Sequence, residues 1–283
     1  MTPLVVAAVL AAAVTHASWN AIAHGLKDQL LAFSLIELAG TLCGLTAAVF
    51  VPFPRAEAWP YLLVSVVLHL GYMALLMRSF QLGDFGQVYP LARGTAPLVV
   101  TVLAVVVVGE RLDAWATAGV AVASAGLMGV ALVGLRSGTA RHRTPAVLAA
   151  LGTGLAIAAY SVVDGAGVRA SGSALGYTAW LLLLMGPAIP LYTLATRGRV
   201  LLAQMRPVWA LGLLGGALSG LAYGLVLWAQ TRGPLAPVAA LRESSILVGA
   251  TIGTVFFREQ FGRFRVLAAV LMVAGISLML HGS

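Results

Sequence analysis

Long apolar stretches follow one another along almost the whole chain, and only short polar segments separate them. Each stretch is close to the roughly 20 helical residues that are needed to cross a hydrocarbon layer of about 30 Å. Strand-like alternation is absent, and a backbone in lipid must satisfy its own hydrogen bonds, so the pattern predicts helices. Ten spans are predicted, over residues 3–24, 30–51, 59–80, 85–108, 113–135, 145–168, 173–194, 207–230, 234–257 and 263–281.

The two halves of the chain carry the same residues at the same spacing. Six residues of the first half recur 149 positions later, where Arg93, Leu98, Val99, Glu110, Ala125 and Gly126 become Arg242, Leu247, Val248, Glu259, Ala274 and Gly275. The longest polar interruption lies between these copies. We therefore predict a first five-helix repeat over residues 1–135, a polar linker over 136–144 and a second five-helix repeat over 145–283.

Five is an odd number, so the second repeat must enter the membrane upside down relative to the first. The predicted fold is an all-α integral membrane protein of ten transmembrane helices in two inverted five-helix repeats, related by an axis in the membrane plane. Two halves of opposite orientation can open a central site to each side in turn.

The composition excludes a water-soluble domain, because 60% of the 283 residues are hydrophobic and 9% are charged, whereas soluble domains average about 25% charged residues. The net charge of +8 does not indicate nucleic acid, since the arginines are scattered through short loops and form no basic stripe or tail. The expected partners are membrane lipid and a small-molecule substrate, and no nucleic acid is expected.

The distribution of basic residues between the two sets of loops predicts the orientation in the membrane. One set carries four arginines, Arg55, Arg111, Arg169 and Arg232. The other set carries Lys27, Arg78, Arg136, Arg141, Arg143, Arg197, Arg199, Arg206, Arg258, Arg263 and Arg265. The positive-inside rule makes the second set cytoplasmic, which leaves both termini outside the cytoplasm of a cell (inner) membrane.

Arg93 and Arg242 lie inside apolar spans, at corresponding positions of the two copies. An arginine near the bilayer centre costs about 2.5–3.5 kcal/mol on insertion scales, so we expect it to have a use. One interpretation is that both side chains face a central cavity and bind an anion, because guanidinium groups pair with carboxylate or phosphate in bidentate fashion. The alternative is a structural ion pair, for instance with Glu37 or Glu243.

Prolines accompany both arginines: Pro90 and Pro97 bracket Arg93, and Pro234 and Pro237 precede Arg242. A proline frees backbone carbonyls and bends a helix. We therefore expect both spans to be interrupted beside their arginine.

His16, Asn20 and His24 recur every four residues in the first span and so share one helix face. His16 and Asn20 are predicted to line the translocation path, with histidine as a candidate proton carrier. The alternative is that Asn20 bonds a neighbouring helix and that His24 marks the membrane interface.

Further pairs of polar and aromatic side chains share helix faces, namely His69 with Tyr72, Tyr160 with Asp164, and Ser219 with Tyr223. Tyr72, Tyr160 and Tyr223 are predicted to shape the substrate pocket. The alternatives are that these rings serve packing and that Asp164 caps a helix end.

Glu37 lies well inside the second span, without an acidic neighbour. Either it pairs with an arginine such as Arg93, or its protonation couples transport to a proton gradient, because burial favours the neutral form of an acid. Asp164, Glu243 and His69 are the other candidates for proton coupling.

The arrangement of spans and motifs resembles the drug/metabolite transporter superfamily, and specifically its EamA type. In each copy, a span is followed by a Glu-containing loop and a Gly-rich span. The matching residues are Gly109-Glu110-Arg111-Leu112 with Ala125-Gly126, Arg258-Glu259-Gln260-Phe261 with Ala274-Gly275, and the start His16-Ala17-Ser18-Trp19-Asn20. The resemblance covers essentially the whole chain. It implies export or exchange of small metabolites through a central cavity, and it does not imply a particular substrate.

An enzyme is not expected, because the chain has no His-Glu-x-x-His, Gly-x-Ser-x-Gly or P-loop motif and no paired aspartates. Cys43 is the only cysteine, which excludes an internal disulfide and a cysteine-based metal site, and no cofactor or metal is expected. We expect a secondary transporter, such as an efflux permease, for a small anionic or zwitterionic metabolite. The alternatives are a flippase for a lipid-linked intermediate and a membrane-embedded enzyme.

Overall fold

A computed structural model describes residues 1–26, 28–82, 85–137, 143–198, 200–248 and 263–281. Within these ranges the chain is helical almost throughout and contains no β-strand. The helices are α1 (Pro3–Gly25), α2 (Gln29–Phe50), α3 (Trp59–Leu82), α4 (Phe85–Leu103), α5 (Ala114–Ser137), α6 (Arg143–Ala170), α7 (Ala174–Met185), α8 (Ala188–Arg197), α9 (Val200–Met205), α10 (Trp209–Gln230), α11 (Leu235–Arg242) and α12 (Arg263–His281). A 3₁₀ turn, Ala56–Ala58, precedes α3, and a π-helical turn, Ala104–Val108, continues α4.

Seven helical segments in the described residues are long and apolar enough to cross a membrane. One of them, Ala174–Arg197, contains both α7 and α8, which meet at Gly186 and Pro187. Two shorter apolar helices are Ala114–Gly129 and Val266–His281. The predicted span 234–257 extends beyond residue 248 and so lies partly outside the described residues, as does most of the predicted linker. The all-helical membrane fold is therefore confirmed, and the count of ten spans in an inverted repeat stays a prediction.

Both ends of the described chain lie at the same face of the helix bundle. The side chain of Met1 lies beside Gly233, in the loop between α10 and α11, and the ring of His281 lies 5.0 Å from that of Trp115 at the start of α5. We call this side the terminal face. The connections α2–α3, α4–α5, α6–α7 and α10–α11 lie there, and the last residues of α1 and α3 and the connection α9–α10 lie at the opposite face.

The outer surface of the bundle is apolar and its interior holds charges. Phe50 is 82% exposed and Val106 is 75% exposed. Arg93, Arg242 and Asp164 are 3%, 5% and 0% exposed. This distribution is the reverse of that in a water-soluble protein, and it fits a protein whose outer surface faces lipid.

Helices α5 and α12 approach each other through glycines. A Cβ atom on Gly119 would lie 2.5 Å from the carbonyl oxygen of Gly275, and one on Gly126 would lie 3.2 Å from the carbonyl oxygen of Ala268. Small residues allow such close backbone contact, on which helix association in lipid depends.

The two arginine-bearing helices differ in their backbone. The expected interruption beside Arg93 is wrong, because α4 continues through Pro97 to Leu103. The hydroxyl of Thr101 donates to the carbonyl of Pro97 at 2.7 Å, one turn after the proline. In contrast, α11 ends at Arg242, and a turn at Glu243 and Ser244 precedes a further helical segment over residues 245–248.

Helix α6 packs against both arginine-bearing helices. Ala158 and Val162 contact Val100 of α4 and Ala236 and Ala239 of α11 in one buried apolar cluster. This packing places α6, with Tyr160 and Asp164, beside the arginines.

Candidate functional site

Arg93 and Arg242 meet at a single glutamate in the interior. Arg93 Nε lies 2.6 Å from Glu243 Oε2, and Arg242 Nε lies 3.7 Å from Glu243 Oε1. Arg93 Nη2 also donates to Ser245 Oγ at 2.9 Å. All three charged side chains are buried. We call Arg93, Arg242 and Glu243 the charged centre.

The charged centre has one more positive than negative charge. A guanidinium stays protonated even when it is buried, so two arginines and one glutamate leave one excess positive charge. Nε and Nη2 of Arg242 are buried and have no hydrogen-bond partner within the described part of the chain. Because an unsatisfied buried donor is costly, these N–H groups are suited to an anionic ligand.

The end of α11 explains why neighbouring residues both join the charged centre. Side chains of adjacent residues diverge by about 100° in a regular helix, so Arg242 and Glu243 would not face each other. Here Glu243 is the C-cap, and its N–H donates to the carbonyl of Ala240 at 3.1 Å. The position that corresponds to Glu243 in the first copy is Gly94, which carries no side chain. The two arginines therefore share one carboxylate.

Four predicted site residues form an aromatic cluster, which consists of His69, Tyr72, Tyr160 and Tyr223. The rings of His69 and Tyr160 stack with centroids 4.0 Å apart. Tyr72 lies 5.5 Å from Tyr160 in an edge-on arrangement, and Tyr223 lies 5.5 Å from His69. The rings of Tyr160 and His69 are close enough to Arg242 for electrostatic interaction. The structure thus brings the cluster and the charged centre together.

Asp164 lies on the other side of the aromatic cluster. It accepts hydrogen bonds from the hydroxyl of Tyr177 at 2.8 Å and from the hydroxyl of Tyr223. Asp164 makes no ion pair with a described residue, and it is fully buried. Its role here is therefore that of a buried acceptor and not that of a helix cap.

His16 approaches the charged centre from α1, where it interacts electrostatically with Arg93 and Arg242. Its Nδ1 accepts from Trp19 Nε1 at 3.2 Å, which fixes the ring against α1. Asn20 Nδ2 donates to the carbonyl of His16 at 2.8 Å. The amide of Asn20 is therefore held within its own helix. The side chain of His24 lies outside the described residues.

Glu37 lies in α2, buried apart from the arginines. Among the described residues Arg93 pairs with Glu243 and not with Glu37, and Glu37 itself makes no ion pair there. The carbonyl of Glu37 accepts from the hydroxyl of Thr41 at 2.8 Å. Glu37 therefore does not form the salt bridge to Arg93 that was one of its two interpretations, and the other interpretation, proton coupling, stays a prediction.

The position of Glu110 at the end of its span predicts a carboxylate that caps a helix or pairs with loop arginines, as is observed, but the sequence identified neither these partners nor those of Asp164. Tyr177 lies in the first turn of α7 and carries no motif that would link it to Asp164. Glu110 pairs with Arg169, 3.0 Å away, and both of its oxygens accept from the N–H of Leu235 at 3.1 and 2.9 Å. A carboxylate at a helix N-terminus is a recognisable signal in space, but here the helix lies 125 positions further along the chain. Glu259, its counterpart, lies outside the described residues.

Comparisons with known proteins agree with this architecture. Residues 144–281 match the model of the EamA-like transporter family. A solved structure titled "Crystal structure of protein" has the same fold with a TM-score of 0.78 at 18% identity, over 98% of this chain and 96% of that chain. No curated protein sequence matches the chain. The resemblance to EamA-type drug/metabolite transporters is confirmed over residues 144–281.

Proposed function

We propose that this protein, whose residues 144–281 belong to the EamA-like transporter family, is a secondary transporter for a small anionic or zwitterionic metabolite. The family and the apolar helices make it a multi-pass membrane transporter of the drug/metabolite type. The observation that carries the choice of substrate is the buried charged centre, with its excess positive charge and the unpartnered N–H groups of Arg242.

An anionic group would bind to Arg242 and so neutralise the one positive charge that Glu243 does not compensate. A guanidinium presents parallel N–H donors that match carboxylate, phosphonate or phosphate oxygens. Arg93, already paired with Glu243 and Ser245, would hold the carboxylate of Glu243 in place. His16, Asn20, Tyr72, Tyr160 and Tyr223 would form the walls of the pocket.

The contacts between α5 and α12 support an inverted repeat. Gly119 contacts Gly275, and Gly126 contacts Ala268. In the 149-residue register, Ala268 corresponds to Gly119, and Gly275 corresponds to Gly126. Such reciprocal contacts arise when a two-fold axis relates two packed elements. This supports a mechanism in which two halves rock around a central site.

We further propose that transport is coupled to protons carried by a buried side chain. Glu37 is a candidate proton carrier because it is buried without an ion pair to a described residue, and Asp164, Glu243 and His69 are the others. Both termini would lie outside the cytoplasm of the inner membrane, as the basic loops predict. A Glu37→Gln variant that still transports in response to a proton gradient would exclude Glu37 as the coupling group.

The test is a thermal-unfolding screen of the purified protein in detergent, with amino acids, organic acids, phosphonates and inorganic phosphate as probes. A ligand that binds only the folded state stabilises it by about 2.7 kcal/mol at 100 times its Kd. We expect an anionic hit for the unmodified protein that is lost in Arg242→Gln.

Arg232→Gln is the matched control, because Arg232 lies in the same copy and is exposed at the terminal face. It should keep the ligand-induced shift. The unfolding curve of Arg242→Gln without ligand shows whether that variant is folded. A hit that persists in Arg242→Gln would overturn the proposed site, and stabilisation by polyprenyl lipids alone would favour a flippase.

A further inference from the structure

Three ion pairs join the two copies within the described residues, and they lie at three different depths. Glu110 pairs with Arg169 at the terminal face, Arg93 pairs with Glu243 in the interior, and Asp28 pairs with Arg197 at the opposite face. In each pair one residue comes from the first copy and one from the second. The charged centre thus lies between two ion pairs at the faces.

The pair at the terminal face ties four helix ends together. Arg169, near the end of α6, donates to Glu110, to the carbonyl of Gln230 at 2.8 Å and to that of Gly233 at 2.9 Å. Glu110, just after α4, holds the N–H of Leu235 at the start of α11. We call Glu110 and Arg169 the terminal-face clamp.

The pair at the opposite face also uses both carboxylate oxygens. Arg197 is the last residue of α8. Its Nη1 donates to Asp28 Oδ2, and its Nη2 donates to Asp28 Oδ1 at 3.0 Å. The same carboxylate caps α2 by accepting from the N–H of Leu31 at 3.1 Å. We call Asp28 and Arg197 the opposite-face clamp.

The terminal-face clamp is linked mechanically to the charged centre. Glu110 holds the first residue of α11, and Arg242 is the last residue of this helix. Seven residues further along a helix correspond to about 10 Å, at 1.5 Å per residue. A movement of the start of α11 away from α4 would therefore move Arg242 as well.

Exposure separates the clamps from the interior pair. The side chains of Glu110 and Arg169 are 11% and 33% exposed, and those of Asp28 and Arg197 are 39% and 25% exposed. Arg93 and Glu243 are 4% and 1% exposed. Water can replace the partner in an exposed pair at small cost, whereas breaking a buried pair leaves bare charges in the interior. The clamps can open and close, and the interior pair cannot do so cheaply.

We propose that the two clamps are the gates of the transport cycle, one for each side of the membrane. This inference rests on the proposed function, because it assigns parts of the chain to alternating access. With both clamps formed, the charged centre is closed to both sides, as the burial of Arg93 and Arg242 indicates. Release of one clamp opens the path to its own face, and the other clamp keeps the far side shut.

The test measures access to the interior from each face separately. Ala96, which is 1% exposed and packs against Tyr160, is replaced by cysteine in a Cys43→Ser background. The protein is reconstituted in vesicles of defined orientation, and a membrane-impermeant thiol reagent is added on one side. The labelling rate of Ala96→Cys then reports how often the interior is open to that side.

We expect Glu110→Gln to accelerate labelling at least tenfold from the terminal face and to leave the rate from the opposite face unchanged. Arg197→Gln should have the reverse effect. The matched controls are Glu57→Gln, an exposed acid at the terminal face, and Arg206→Gln, an exposed arginine at the opposite face. Neither residue belongs to a clamp, so both control variants should be labelled at the same rate as the protein that carries only Ala96→Cys and Cys43→Ser.

Equal labelling of Glu110→Gln and the control, or acceleration from both faces, would overturn the gate assignment. Arg169→Gln removes the same ion pair from its other side and should also accelerate labelling from the terminal face, and a rate equal to that of the control would count against the gate. Ligand-induced thermal shifts of the same preparations separate the two proposals. If the clamp variants keep the ligand-induced shift but do not change the labelling rate, the proposed transport function is supported and the gate assignment is wrong.

Discussion

Helices α4 and α11 occupy corresponding places in the two copies, and each carries the arginine of its copy, but they have diverged. In α4 the helix runs past Arg93 for ten further residues, whereas α11 stops at Arg242. The residue after the arginine is Gly94 in one and Glu243 in the other. As a result Arg93 has a close carboxylate, and Arg242 keeps N–H groups without a partner in the described residues.

Helices α5 and α12, by comparison, have kept their equivalence. Their glycine contacts are reciprocal, so the packing between copies is the same in both directions. The close backbone contact between α5 and α12 leaves no room for larger side chains, so these helices have stayed alike. In the interior, the difference between Gly94 and Glu243 is enough to make the surroundings of the two arginines unequal. An asymmetric charge is what a substrate with a defined orientation requires.

The largest effect should follow from removing the shared carboxylate. Glu243→Gln removes the carboxylate that pairs with two buried guanidiniums, and breaking a buried ion pair in this way costs about 3–5 kcal/mol. We expect the free energy of unfolding, measured by SDS titration in mixed micelles, to fall by about this amount.

Two variants test whether the arginines really differ. Arg242→Met leaves the neutral pair of Arg93 and Glu243, so its free energy of unfolding should stay close to that of the unmodified protein. Arg93→Met removes the closer partner of Glu243 and should be less stable than Arg242→Met. Equal losses from the two variants would show that the arginines share Glu243 evenly, and the comparison between α4 and α11 would then fail.

The sequence predicted the parts of this site that depend on local spacing. The register of the copies identified Arg93 and Arg242, and spacings of four and three residues placed Tyr160 with Asp164 and His69 with Tyr72 on shared helix faces. It named Glu37 and Glu243 as alternative ion-pair partners of the arginines and did not decide between them, because the contact between Arg93 and Glu243 depends on how two distant helices pack. The end of α11 at Arg242 was expected from its prolines, but the same reasoning failed for α4, which continues through Pro97 because a transmembrane helix can accommodate a proline.

An intermediate effect should follow from crowding the contact between α5 and α12, which has stayed symmetric. Gly119→Leu places a side chain against the backbone of Gly275, and overpacking of this kind costs about 1–3 kcal/mol. Gly129→Leu, on the same helix, is the control, since a Cβ there meets no atom within 4 Å. We expect SDS titration to show a loss for Gly119→Leu and none for Gly129→Leu. Similar values for the two would mean that the glycine contact does not hold the copies together.

The smallest effect should come from the ion pair at the opposite face, which contrasts with the buried pair. The hydrogen bond from Arg197 lowers the pKa of the Asp28 carboxyl below its usual value of 3.8. A lowered pKa in the folded state means that the pair stabilises the protein above the unfolded-state pKa, and that this stabilisation is lost as the pH falls through the lowered value.

Between about pH 6 and pH 3, the Tm of the unmodified protein should therefore fall slightly more than that of Asp28→Asn. Added salt should shrink this difference because solvent reaches the pair, whereas salt should leave the effect of Glu243→Gln almost unchanged. If the Tm of both proteins changes with pH in the same way, the pair of Asp28 and Arg197 contributes nothing to stability. The exposed and the buried ion pair would then differ even more in what they contribute.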